Sequence, residues 1–178
     1  MLLTRLLRGR RAAWMLSFGL VGCAPSLDWR EIKPEDSDVL AMFPCKPTTD
    51  ARMVNLAGAR VRMVLVACRA GEVNWALAFA DVGDPSSVAG ALQELRRSNA
   101  DNVGAAPTVV GPMRVPGMTP NPQAERVRVQ GRLPSGEVVA LESGFFVRGT
   151  RVYQATVMGR AIDAEAMATF FDGLKLRT

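Results

Sequence analysis

The chain of 178 residues contains no histidine, three cysteines and 17 acidic side chains. That inventory removes most nucleophilic and metal chemistry. Without histidine, neither a Ser-His-Asp nor a Cys-His arrangement can be built, and the commonest general base and metal ligand is missing. Zinc would have to rest on cysteines and carboxylates, and Cys45 and Cys68 lack the paired spacing of structural zinc sites. Glycoside hydrolysis needs only two well-placed acids, yet no Asp or Glu stands in a telling context. No catalytic residue, metal site or cofactor is expected, and the pattern argues against an enzyme. The groups left to act are Cys23, the pair Cys45 and Cys68, an arginine stripe at Arg126, Arg128 and Arg132, and two methionines, Met113 and Met118.

Residues 1–22 read as a cleaved leader, and Cys23 follows it. Arg5, Arg8, Arg10 and Arg11 precede a short apolar run from Ala12 to Val21, and Gly22 stands before the cysteine. A basic region, an apolar region and a small residue in that order form a secretory signal peptide. A membrane span would need about 20 apolar residues, and this run is roughly half that. Leu20-Val21-Gly22-Cys23 resembles the lipobox of bacterial lipoproteins. The resemblance implies cleavage between Gly22 and Cys23 and acylation of Cys23 with palmitate-type chains, each CH₂ of which contributes ~0.8 kcal/mol on burial in the bilayer. Ala24 follows the cysteine in place of the aspartate that retains such lipoproteins in the inner membrane. In a Gram-negative cell the implied address is the inner leaflet of the outer membrane, facing the periplasm.

Cleavage changes the reading of charge. The chain carries 22 Lys+Arg against 17 Asp+Glu, and four of the arginines lie in the leader. The mature part keeps 18 basic and 17 acidic side chains, a net of +1. No nucleic-acid partner is expected from so balanced a surface. Residues 23–28 then form a lipidated tether, and residues 29–178 one domain large enough to bury a core. In an oxidising compartment the even pair Cys45 and Cys68 reads as a disulfide worth ~3 kcal/mol. Two buried free thiols are the alternative, which only the Cα separation decides.

The elements that must position these groups follow from period and punctuation. Trp29–Ile32 and Val39–Phe43 read as strands, the second stopped by Pro44 and Pro47. Residues 51–56 and 60–68 read as a hairpin about Ala57-Gly58-Ala59. Asn74–Ala80 alternates Trp75, Leu77 and Phe79 with alanines flat enough for a helix to lie on. Asp84-Pro85 should cap that helix, with Val88, Ala91, Leu92 and Leu95 inward and fraying near Asn99 to Asn102. Residues 103–123 hold five of the chain's 11 prolines and suggest a long loop with a short edge strand. Strands are expected at 124–133, 138–147 and 151–158, with a bulge at Gly144 and the Tyr153 hydroxyl at the rim. A closing helix over 163–172 presents Met167, Phe170, Phe171 and Leu174, ends at Gly173 as a C′ residue, and leads to a short final strand. The pattern predicts an α+β fold with a mainly antiparallel β-sheet of about six to eight strands and two helices.

The order of landmarks resembles the PsbP-like domain, the fold of the photosystem II extrinsic subunit and the Ran-binding Mog proteins. The residues that carry this are Phe43-Pro44-Cys45-Lys46-Pro47, the strand Trp75 to Ala80, Gly149-Thr150-Arg151-Val152-Tyr153, and Phe170-Phe171-Asp172-Gly173-Leu174-Lys175-Leu176. The resemblance covers residues 29–177 and implies an α/β sandwich that acts by docking onto other proteins. It transfers no metal or photosystem contact.

Two features fit a partner surface. Arg126, Arg128 and Arg132 share a strand face and, with Arg60 and Arg62, would offer a basic surface; an ordinary solvated face is the plainer reading. Met113 and Met118, exposed on the loop, would offer an adaptable apolar one; a surface loop whose methionines cover the sheet edge is the plainer reading. The expectation is a lipid-anchored periplasmic module that binds an envelope protein. The alternative is a carrier of a small molecule or lipid in a pocket between sheet and helix.

Overall fold

The computed structural model describes residues 27–177; the expected leader and cleavage site at Gly22 and Cys23 lie outside the described residues. The fold is α+β. Seven strands form one antiparallel sheet in the order β3-β4-β5-β9-β8-β7-β6, and a small sheet has the order β1-β2-β10. The strands are β1 (Arg30–Ile32), β2 (Val39–Phe43), β3 (Thr48–Leu56), β4 (Ala59–Ala70), β5 (Val73–Asp81), β6 (Thr108–Pro112), β7 (Glu125–Arg132), β8 (Val138–Arg148), β9 (Arg151–Gly159) and β10 (Lys175–Leu176). The helices are α1 (Val88–Val103) and α2 (Ala164–Asp172).

Strand alternation sends side chains to two faces of the large sheet. On one face Trp75, Leu77, Phe79, Phe146, Tyr153 and Val157 pack with Phe170, Phe171 and Leu174 of the α2 segment and with Val39, Ala41 and Phe43 of the small sheet. On the other, Val127, Phe145, Val147 and Val152 pack under Val88, Ala91, Leu92 and Leu95 of α1. The disulfide Cys45–Cys68, with Cα atoms 6.0 Å apart, ties the end of β2 to β4 on the α2 face.

Local rules placed most boundaries, and the departures have physical causes. The Asp84 carboxylate accepts from Ser86 N at 2.8 Å and Pro85 follows it, but this cap opens a short 3₁₀ turn, Pro85–Ser87, that leads into α1. The helix does not fray at Asn99. It runs to Val103 because Asn99 is buried and hydrogen-bonded to the sheet. The β3–β4 turn has positive φ at Ala57 and Gly58, the two-residue turn whose twist suits a hairpin. Asp163 caps α2 by accepting from Ala166 N at 2.8 Å.

Two glycines do something other than what periodicity suggested. Gly144 pairs in unbroken register with Arg126 and Ala155, so there is no bulge. A Cβ there would lie 2.7 Å from the Met113 sulfur, and the missing side chain is what lets the loop press onto the sheet. Gly173 has φ −75°, not the left-handed value of a C′ glycine. Its Cβ would meet Met42 at 2.6 Å, so it serves the close approach of α2 to β2. Tyr153 also differs: it is fully buried, stacked on Phe146 with ring centroids 4.7 Å apart. Burial raises its pKa above the ordinary phenol value.

Candidate functional site

The domain has two distinguishable ends. At one, Asp28 N donates to Pro44 O at 2.8 Å, and Trp29 meets Trp75 edge-on with centroids 5.9 Å apart. Trp75 stands opposite Cys68 and Val157 in the sheet, so Trp29 packs on the row that also holds the disulfide. At the other end lie the turns at Ala57-Gly58 and Gly149-Thr150. Val157 and Val147 are five residue steps apart along the β8–β9 pair, about 17 Å at the rise of a strand.

The proline-rich segment occupies the far end and is pinned to the core. Met113 N donates to Ala124 O at 2.9 Å, Thr119 N to Val147 O at 2.8 Å, and Leu176 N to Pro116 O at 2.8 Å. Thr119 Oγ1 accepts from Gly149 N at 2.9 Å. Held by four hydrogen bonds at Met113, Pro116 and Thr119, the segment is a built surface. Met113 is 4% exposed, and with Val115 and Ala124 it belongs to the core. Only Met118 of the two methionines reaches a half-exposed position. Both line one open apolar hollow of about 530 Å³, together with Pro112, Pro116 and Pro120, with Arg114 and Asn121 at its rim. The structure therefore brings the two methionines together, one as floor and one as lip.

The arginine stripe is placed differently. Arg126 and Arg128 share a face, and each turns its guanidinium fork onto Glu142, which is 2% exposed. Arg126 Nε donates to Oε1 at 3.0 Å; Arg128 Nε and a terminal nitrogen donate to Oε2 at 3.0 and 2.8 Å. Arg126 also covers the Phe171 ring at 4.2 Å. Forked, charge-assisted bonds of this kind hold position strongly. Arg132 lies apart, donating to Gly136 O at 3.1 Å. Arg60 and Arg62 sit on the same face of the sheet but on β4, four strand spacings from β7, about 19 Å away. The five arginines form no single basic surface. Glu142 was the residue that sequence reasoning missed, and a lone carboxylate inside the apolar run Val138 to Val147 was its available signal.

A second group went unnoticed, on the α1 face. Asn99 Nδ2 donates to Ser143 Oγ at 2.6 Å, Ser143 Oγ meets Thr156 Oγ1 at 2.8 Å, and Gln154 Nε2 donates to Asn99 Oδ1 and Thr156 Oγ1 at 3.0 and 3.1 Å. These side chains join α1 to β8 and β9 through polar bonds where periodicity alone suggests apolar contact.

The described residues hold no group of three or more Cys, Asp or Glu able to bind a metal ion. No protein-family model matches the chain, and a search of curated proteins finds no match. The described residues form an α+β domain with a mainly antiparallel sheet, an internal disulfide and an apolar hollow at one end.

Proposed function

We propose that the chain is a lipid-anchored envelope protein that docks another protein through the hollow at residues 112–124. The observation that carries this reading is the pinned, apolar lining of Met113, Val115, Met118 and three prolines at the end of the domain away from the tether. Proline and hydrogen-bonded backbone lower the ordering cost of binding, and methionine adapts to varied apolar side chains. The leader, the lipobox and Ala24 support export and acylation at Cys23, and the order of landmarks supports a PsbP-like domain, whose members act by docking. A tether from Cys23 to Asp28 reaches at most ~18 Å. It would hold the Trp29 end against the membrane and present the hollow to the periplasm.

Site-specific photocrosslinking in intact cells tests the docking surface. A photoreactive residue at Met118 should give a discrete crosslinked product, whereas one at Arg97, on the exposed side of α1, should not. Equal products from both, or none from Met118, would retire the hollow as the docking site. Metabolic palmitate labelling lost on Cys23→Ala tests the anchor independently.

A further inference from the structure

The α1 face of the sheet is only partly covered. The tip of the β3–β4 hairpin is fastened to the helix, with Ala57 N donating to Glu94 Oε2 at 2.8 Å, and a Cβ added at Gly90 would lie 3.6 Å from the Ala57 Cβ. From that clasp the hairpin and the helix diverge, because α1 runs across to β7, β8 and β9 while β3 and β4 continue along the sheet. Between them lies a cavity of about 360 Å³, within the size range of small-molecule sites. Its floor is Met63, Leu65 and Ala78, and its clasped end is closed by Val54, Leu56 and Leu95. Leu65 is 40% exposed there, although it stands mid-strand. Away from the clasp the cavity is bordered by Asp50, Ser98 and Asn102.

The open end is polar, and some of its groups are unengaged. Gln154 spends its amide hydrogens on Asn99 and Thr156, while its Oε1 has no hydrogen-bond partner among the described residues. Arg52 and Asp50 project from the same face of β3, and neither has an ion-pair partner among the described residues. Ser98 and Asn102 complete the mouth. A bare anion would meet Asp50, and a bare cation would meet Arg52. A head group that donates an N–H and also carries a carboxylate satisfies both, with Gln154 Oε1 as a further acceptor.

We infer that this groove binds a small single-chain amphiphile of the N-acyl amino acid type. The acyl chain lies along Leu65, Ala78 and Met63 toward the clasp, the amide N–H meets Asp50, and the carboxylate meets Arg52. The site is separate from the hollow at residues 112–124 and does not depend on docking there.

Calorimetric titration with N-dodecanoylglycine below its micelle-forming concentration tests the assignment, using the full chain with Cys23→Ser so that no acyl chain is attached. One saturable site is expected. Arg52→Gln should weaken it about tenfold, as loss of a charge-assisted bond does. Ala78→Phe, which fills the floor, should abolish it. Ser98→Trp, an exposed substitution at the rim, should weaken it at least tenfold and decides the matter where Ala78→Phe fails to fold. Absence of saturable binding overturns the inference. So does binding that neither the rim nor the floor substitution alters, which would assign the heat to the apolar leader. Either failure leaves the crosslinking result at Met118 untouched.

Discussion

The two faces of the large sheet are covered in different ways. On the α2 face, a helix and a second sheet lie over Trp75, Phe79, Phe146 and Tyr153, and a disulfide staples the edge. Phe170 meets both Phe43 and Trp75 edge-on with centroids 5.4 Å apart, so one residue joins both sheets and the helix. On the α1 face, a single helix crosses obliquely, bonds partly through amides and hydroxyls, and leaves the β3–β5 side open. The difference teaches that stability and availability are divided between faces. Apolar burial contributes roughly 25 cal/mol per Å², and the α2 face takes most of it. The α1 face can then keep a groove open without loss of the fold.

Substitutions on the two faces should separate accordingly. Phe170→Ala is expected to cost about 3–5 kcal/mol, read as a shift in the urea midpoint. Leu65→Ser, on the open face, should stay within about 0.5 kcal/mol. Equal losses at the two positions would break the contrast. Next in size is the disulfide: Cys45→Ala with Cys68→Ala should cost ~3 kcal/mol and loosen the small sheet, seen as faster amide exchange in β2 while α1 is unaffected.

Glu142→Gln should cost less, about 2 kcal/mol. Removing a partner from a buried ion pair is costly, but Arg126 and Arg128 are 24% and 48% exposed and can turn to water. Exchange should rise at β6 and β7 and leave α1 in place. The smallest effect belongs to Asp81. Its pKa is lowered chiefly by the hydrogen bond from Thr150 Oγ1 at 2.7 Å, then by the Gly83 N–H. A depressed carboxylate contributes stability above its unfolded pKa and loses it as pH falls through the folded value. Thr150→Val should therefore lower the melting temperature slightly near pH 6. The difference from the unsubstituted chain should shrink as pH falls below the ordinary Asp value of 3.8 and through the lowered folded one.

Much of the architecture was legible locally. Asp84-Pro85 and Asp163 mark helix starts because a capping carboxylate acts within three residues. Cys45 and Cys68 read as a bridge, and the Cα separation of 6.0 Å agrees. Less of the candidate site was legible. Alternation correctly put Arg126 and Arg128 on one face, but it cannot show that Glu142, 14 to 16 residues further on, stands beside them. Composition marked Met113 and Met118 as loop residues, yet the burial of one depends on the space left by Gly144 in another strand.

The sequence by itself determined most of the elements, their order and the two-sided sheet, because period, caps and turns act over a few residues; the bridge between Cys45 and Cys68 waited on their Cα separation. The sequence also carries the arginine-led apolar run and the Leu20-Val21-Gly22-Cys23 motif on which the proposed anchor rests. The tertiary structure decided which arginines are engaged, which methionine is core, and where the sheet stays uncovered. Those outcomes depend on strand order and on the oblique path of α1, which bring together residues dozens of positions apart, beyond the reach of any local period.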